Sequence, residues 1–175
     1  MSNETPNRIG TGMIAVACLL SLGLLTLFFN HVLEKQHNPN QSAQVNHYQD
    51  GTTEVVLTRN QSGHYVTTGS INHKPVTFLL DTGATMVAIP ENIANELELK
   101  RGVQIQVNTA NGNTTAYASH LEQIAIGDIV LENINASINP QLEGDVLLGM
   151  SFLRQIEFTQ RGNQLILRQH KTVEK

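Results

Sequence analysis

The chain has 175 residues, of which 40% are hydrophobic and 15% charged, with a net charge of −4 and no tryptophan. That is room for one modest domain plus extras, and with no basic stripe to neutralise phosphates no nucleic-acid partner is expected. The single cysteine, Cys18, rules out an intrachain disulfide, so stability must come from the core and, if that is small, from association.

Residues 1–8 form a short N-terminal tail. Met13 to Phe29 then reads MIAVACLLSLGLLTLFF, without a charge. Extended to residues 9–33, the run exceeds the roughly 20 residues a helix needs to cross a bilayer, and it lacks the polar face of a core helix. A single transmembrane anchor is expected over 9–33. A cleaved signal peptide would have a shorter apolar region followed by a small-residue site, whereas this run ends in Phe28-Phe29-Asn30-His31. A lipoprotein anchor at Cys18 would leave too short an apolar stretch before the cysteine. Arg8 precedes the span, while Lys35 after it is offset by Glu34, which tilts the N-terminus toward the cytoplasm. In a Gram-negative-type cell the protein would then sit in the inner membrane with its C-terminal domain in the periplasm.

Residues 34–51 are polar, rich in Asn, Gln and His, and read as a flexible linker. The folded domain is expected over 52–170, followed by a C-terminal tail at 171–175. Strands are expected at Glu54–Thr58, His64–Ile71 and Pro75–Leu80, with turns at Asn60–Gly63 and Asn72-His73 and Pro75 at a strand start or edge. Glu91 to Leu99 places Ile93, Leu97 and Leu99 among acidic residues, the pattern of a short amphipathic helix. Strand character returns at Gln104–Val107 and Tyr117–Ile126, and Gly127-Asp128 joins the latter to a further run through Ile138 as a hairpin. Met150–Ile156 suggests a second short helix and Gln164–Arg168 a last strand. Short strands with frequent turns imply an all-β, barrel-like domain.

The sharpest motif is Phe78-Leu79-Leu80-Asp81-Thr82-Gly83-Ala84-Thr85. An apolar strand runs straight into a carboxylate, which places that group on a rigid base. Gly83 lets the backbone turn tightly beside it, and the Thr82 hydroxyl is available to brace the loop. Asp-Thr-Gly alone is a common turn tripeptide. The second apolar stretch, Met86-Val87-Ala88-Ile89, sets this one apart, because an ordinary exposed turn has no need of burial on both sides.

On these residues the chain resembles the retropepsin-like aspartic proteases, in particular their bacterial membrane-anchored members. The family's second signature, an apolar run ending in glycine before a C-terminal helix, is matched by Val146-Leu147-Leu148-Gly149 followed by Met150 to Leu153. Its substrate-covering flap is matched by Thr109-Ala110-Asn111-Gly112. The resemblance covers about Thr52 to Gln169 and implies a closed barrel of the acid-protease fold, one lobe per subunit. It implies peptide hydrolysis with Asp81 as catalytic residue, Thr82, Gly83 and Ala84 supporting the loop, and neither cofactor nor metal. One departure is visible. Retroviral members pair an arginine after the second-signature glycine with an acidic residue just past the triplet; Met150 and Thr85 stand there instead.

Such hydrolysis uses two carboxylates around one water, one taking a proton and the other donating one. The chain has four aspartates, Asp50, Asp81, Asp128 and Asp145, and only Asp81 is followed by Thr-Gly. The second carboxylate is therefore expected from Asp81 of another copy across a two-fold axis. The partners expected are a second copy of the chain, a peptide or protein substrate bound in extended form, and the lipid bilayer. The last strand, Gln164–Arg168, is expected either to pair at the dimer interface, with its mate or with an N-terminal strand, or to serve as a plain barrel strand. Ala84 occupies a position where homologous acid-pH sites often carry a hydroxyl. Removing a donor to the charged form disfavours ionisation, so a mildly acidic to neutral optimum is expected.

The seven histidines show no ligand spacing, no glycine-rich phosphate loop is present, and Ser62, Ser119 and Ser151 lack the setting of a nucleophile. Two rivals to the enzyme remain: a non-cleaving peptide-binding or scaffolding module tethered to the membrane, and a monomeric β-barrel adaptor with an incidental Asp-Thr-Gly.

Overall fold

A computed structural model of the chain describes residues 8–109 and 112–170. The tails expected at 1–8 (apart from Arg8) and 171–175 lie outside the described residues, as do Ala110 and Asn111 of the expected flap. The chain divides after Gln36 into two compact units.

The first unit is carried by helix α1 (Arg8–His37). At 1.5 Å per residue its 30 residues extend about 45 Å, more than the roughly 30 Å hydrocarbon core of a bilayer. Its large apolar side chains, such as Leu19, Leu24 and Phe28, are exposed. The helix is long and apolar enough to cross a membrane, a test a signal sequence also passes. It runs past the expected end at Leu33 because nothing in Glu34 to His37 breaks a helix.

The second unit is mostly β. Its elements are β1 (Gln44–His47), β2 (Thr53–Thr58), β3 (Val66–Ile71), β4 (Lys74–Leu80), β5 (Val87–Pro90), α2 (Glu91–Glu96), β6 (Gln104–Thr109), β7 (Gly112–Ile126), β8 (Ile129–Asn139), β9 (Val146–Leu148), α3 (Met150–Leu153), β10 (Glu157–Arg161) and β11 (Gln164–Gln169). One sheet has the order β1-β2-β11-β10, antiparallel throughout. The other has the order β3-β4-β9-β5-β8-β7-β6, and β7 also pairs with β3 through Ser70↔Ala125 and Ile71↔Ile124. The alternating strand residues fill a core in which Phe78, Ile89, Ile124, Ile134, Leu148 and Phe152 are fully buried.

The linker expected at 34–51 is a departure from composition. Residues 34–37 are helical, Gln44–His47 pair with β2, and the compact unit begins at His37 rather than Thr52. Asn38 and Asn40 are buried. The Asn40 side chain donates from Nδ2 to the carbonyls of Thr58 (2.9 Å) and Val66 (2.7 Å), while its Oδ1 accepts from the Thr58 N–H at 2.7 Å. A carboxamide carries both a donor and an acceptor, so it serves as a stand-in for backbone between two strands. Polarity here marks hydrogen bonding inside the fold rather than solvation.

Turn chemistry explains much of the rest. Asn72 and His73 both take positive φ (48° and 67°) in the two-residue connection of β3 to β4, the mark of a type I′ hairpin. Pro75 sits near the start of β4, opposite Ser70. Helix α2 stops earlier than expected because Glu98 adopts φ 58°, and the Leu99 N–H turns back to the Ala94 carbonyl. Leu97 is still buried, with Ile93 and Leu99 against the core.

Strand β11 resolves the question of the last strand for a single copy. It lies between β2 and β10 of its own chain, so both its edges are filled. Within one copy it has the role of a plain strand of the sheet.

Candidate active site

Strand β4 delivers Asp81. Phe78 in β4 is fully buried, and Phe78, Leu79 and Leu80 pair in parallel with Val146, Leu147 and Leu148 of β9. The ladder continues one step further, for the Asp81 N–H donates to the Leu148 carbonyl at 3.2 Å. The carboxylate is thus rooted on a central strand. Past it the chain turns at once. The Ala84 N–H donates to the Asp81 carbonyl at 3.2 Å, and the Gly83 N–H donates to Asp81 Oδ1 at 2.8 Å. A Cβ on Gly83 would stand 3.1 Å from that oxygen, so glycine leaves the carboxylate its place. Asp81 and Ala84 are half-buried, while Thr82, Gly83 and Thr85 face solvent.

The second apolar signature holds this turn from behind. Strand β9 also meets β5 at Ala88↔Leu147, so it lies between the strand entering the turn and the strand leaving it. The Met150 N–H donates to the Ala84 carbonyl at 2.8 Å. A side chain on Gly149 would collide with the Met86 carbonyl and stand 2.7 Å from that of Ala84, well inside van der Waals contact. Ser151 Oγ accepts from the Val87 N–H at 2.9 Å. Ser151 has no setting for a nucleophile, and its support of the loop has no sequence signal beyond its place two residues after the glycine.

The structure therefore brings Asp81, Thr82, Gly83 and Ala84 together with Gly149, Met150 and Ser151. The expected flap is a separate hairpin. Strands β6 and β7 pair antiparallel with Thr109 opposite Gly112, which has φ 106°; Ala110 and Asn111 fall between them, outside the described residues. Close to its tip, the hairpin is tied to a neighbouring loop where Thr114 Oγ1, opposite Val107, donates to Gln141 Oε1 at 2.7 Å. Asp50, Asp128 and Asp145 each meet a partner elsewhere: the Thr52 N–H (2.9 Å), His47 (2.9 Å) and His37 (2.7 Å). The Thr52 N–H and hydroxyl hold the Asp50 carboxyl below its ordinary value. Among the described residues, one copy supplies the turn with Asp81 and no second aspartate. A groove of about 550 Å³ between Leu97–Gly102 and Ala118–Glu122 contains no residue of this turn.

With that geometry in hand, likeness to other proteins is informative. Residues 67–155 match the family described as "gag-polyprotein putative aspartyl protease", a span that takes in both the Asp81 turn and Gly149. An uncharacterized Sinorhizobium protein from the cobV 5′ region is 37% identical over 124 residues, covering 68% of this chain and 53% of that protein. Uncharacterized protein RP867 of Rickettsia prowazekii is 28% identical over 107 residues, covering 59% of this chain and 46% of its own length. The chain thus spans about half the length of these curated relatives. The crystal structure of a retropepsin-like aspartic protease from Rickettsia conorii superposes with a TM-score of 0.59 at 27% identity, covering 73% of this chain and 95% of that one. The fold and the loop define an acid-protease lobe. This chain belongs to the retropepsin-like aspartic protease family.

Proposed function

We propose that the protein is an aspartic endopeptidase, active as a homodimer in which each copy contributes Asp81. The observation that carries this reading is the Asp81-Thr82-Gly83 turn, rooted on β4 and braced by β9, Gly149 and Met150. A mere surface turn would not require a buried parallel strand pair beneath it. The half-buried carboxylate beside an exposed Thr82 fits a site completed by a symmetry mate.

In that dimer the two carboxylates share one proton, since like charges about 3 Å apart do not both ionise. The ionised one takes a proton from the water, whose oxygen bonds to the substrate carbonyl carbon. The protonated one donates to the carbonyl oxygen, giving a tetrahedral intermediate. Collapse breaks the C–N bond as the leaving nitrogen receives a proton. Substrate lies extended beneath the β6–β7 hairpin, with Thr109 to Gly112 as its tip. The return pairing of β7 to β3 supports a closed barrel. Helix α1 supports a single-pass anchor, and two copies in one membrane gain effective concentration. The slight bias in flanking charge favours a C-terminal domain outside the cytoplasm, which in a Gram-negative-type cell is the periplasmic side of the inner membrane.

The test is cleavage of a peptide library by the full chain in detergent, beside Asp81→Asn. Loss of about 10²–10⁴-fold or more is expected for the variant, with the wild-type protein sedimenting as a dimer. Undiminished cleavage by the variant would remove Asp81 from the mechanism.

A further inference from the structure

Side chains alternate across a strand, so the burial of Phe78 turns Leu79 to the opposite face of β4. Asp81 continues the ladder two residues on and shares that face. Leu147 pairs with Leu79 and is half-buried between the buried Val146 and Leu148. Leu79 and Leu147 thus form an apolar wall that ends at the Asp81 carboxylate. The far end of the wall is Asp145, level with Thr77 in the same register, about 13 Å along the strand from Asp81. The Asp145 side chain is 19% exposed, and His37 Nε2 meets its Oδ2 at 2.7 Å. The His37 carbonyl accepts from Asn60 Nδ2 at 2.9 Å, and Asn60 Oδ1 accepts the His64 N–H. His64 precedes Tyr65, whose carbonyl takes the Leu80 N–H. The imidazole therefore reaches Asp145 from the Asp81 end of the wall. Its side chain is 58% exposed, and an ion pair so open to solvent is readily displaced.

We propose that Asp145 selects the substrate: it receives the lysine or arginine side chain of a residue beside the cleaved bond, and His37 holds that place until the peptide binds. The inference rests on the endopeptidase reading above and names the class of peptide cleaved. A peptide whose backbone lies at Asp81 directs one side chain down the wall. Lysine and arginine bring an apolar stem to Leu79 and Leu147 and a cationic head to the carboxylate, where a charge-assisted hydrogen bond forms. An apolar side chain covers the leucines but leaves Asp145 to His37, and an acidic one sets two carboxylates together. The segment Leu142 to Leu148 adds a further acid, Glu143, and carries no lysine or arginine. Each copy of a two-fold dimer contributes one such wall, so the preference is expected on both sides of the cleaved bond.

Paired peptides test this with the full chain in detergent, alike except for Lys, Leu or Glu at one position beside the cleaved bond. Wild-type kcat/KM should favour Lys over Leu about tenfold and Lys over Glu about a hundredfold. Asp145→Asn should erase the preference for Lys over Leu, and Asp145→Lys should turn it toward Glu. His37→Ala removes the resident imidazole and should lower KM for the Lys peptide more than for the Leu peptide. Three results overturn the proposal and leave the endopeptidase reading intact. They are a wild-type profile without enrichment of Lys or Arg on either side of the bond, an Asp145→Asn protein that keeps the Lys preference, and a KM ratio unmoved by His37→Ala. Failure of the wild-type protein to cleave any peptide overturns both.

Discussion

The backbone of Met150 is hydrogen-bonded to that of Ala84: its N–H donates to the Ala84 carbonyl at 2.8 Å. This bond joins the two apolar signatures into one structural unit. Gly149 permits it, because any side chain there would strike the carbonyls of Met86 and Ala84. Gly149→Ala should cost about 1–3 kcal/mol or more through overpacking against backbone that cannot yield cheaply. Ser151→Ala should cost about 1–3 kcal/mol by orphaning the Val87 N–H. Denaturant unfolding of each variant measures both, and cleavage should fall with Gly149→Ala even where the protein remains folded.

Asn40 anchors the segment that composition marks as a tether. Asn40→Ala leaves the Thr58 N–H and the carbonyls of Thr58 and Val66 without their side-chain partner, so a loss of about 1–3 kcal/mol is expected. Asn40→Asp keeps the acceptor but loses both donors, and should not rescue. A melting temperature equal to wild type for Asn40→Ala would show that residues 38–43 are dispensable to the fold.

Glu54 gives the stability a pH dependence. Burial alone would push its carboxyl up, but hydrogen bonds from Asn46, Arg168 and Tyr48 outweigh that and hold it below its ordinary value of 4.5. A group lowered in the folded state stabilises above its unfolded value, and that contribution is lost as pH falls through the folded one. Glu54→Gln should therefore destabilise by about 1–3 kcal/mol at neutral pH, with the gap to wild type closing below about pH 4.5. Unfolding curves from pH 7 to pH 3 would show the two proteins converging. A constant difference would assign the loss to packing.

Ala84 has its backbone committed on both sides, N–H to Asp81 and carbonyl to Met150, which leaves its side chain as the free variable. A hydroxyl added there would donate to the ionised carboxylate and favour it. Ala84→Ser should move the acid limb of the pH–rate profile to lower pH, with the wild-type optimum in the mildly acidic to neutral range. An unmoved limb would separate residue 84 from the titration of the pair.

Local chemistry makes several elements legible in the chain itself. The Asp81 triplet, the Gly149 signature and the hairpin turns at Asn72-His73 and Gly127-Asp128 each depend on residue types that few other conformations require. The same is true of the uninterrupted apolar run of α1. Three strands escape that kind of reading. Strand β9 has three residues, too few to show a period, and its parallel place between β4 and β5 is set by segments distant along the chain. Strand β10 is exposed on both faces and carries no alternation of buried and exposed positions. Strand β1 and the Asn40 clamp look like solvated linker, because polarity alone does not reveal whether water or backbone satisfies a side-chain amide.

Sequence alone determined which carboxylate is singled out and what turn it sits on, since an apolar strand, an aspartate and a glycine in that order constrain their own backbone. Tertiary structure decided what stands behind that turn. Leu148, Gly149, Met150 and Ser151 reach it through parallel pairing and long-range hydrogen bonds, and non-local contacts of that kind leave no pattern within either segment.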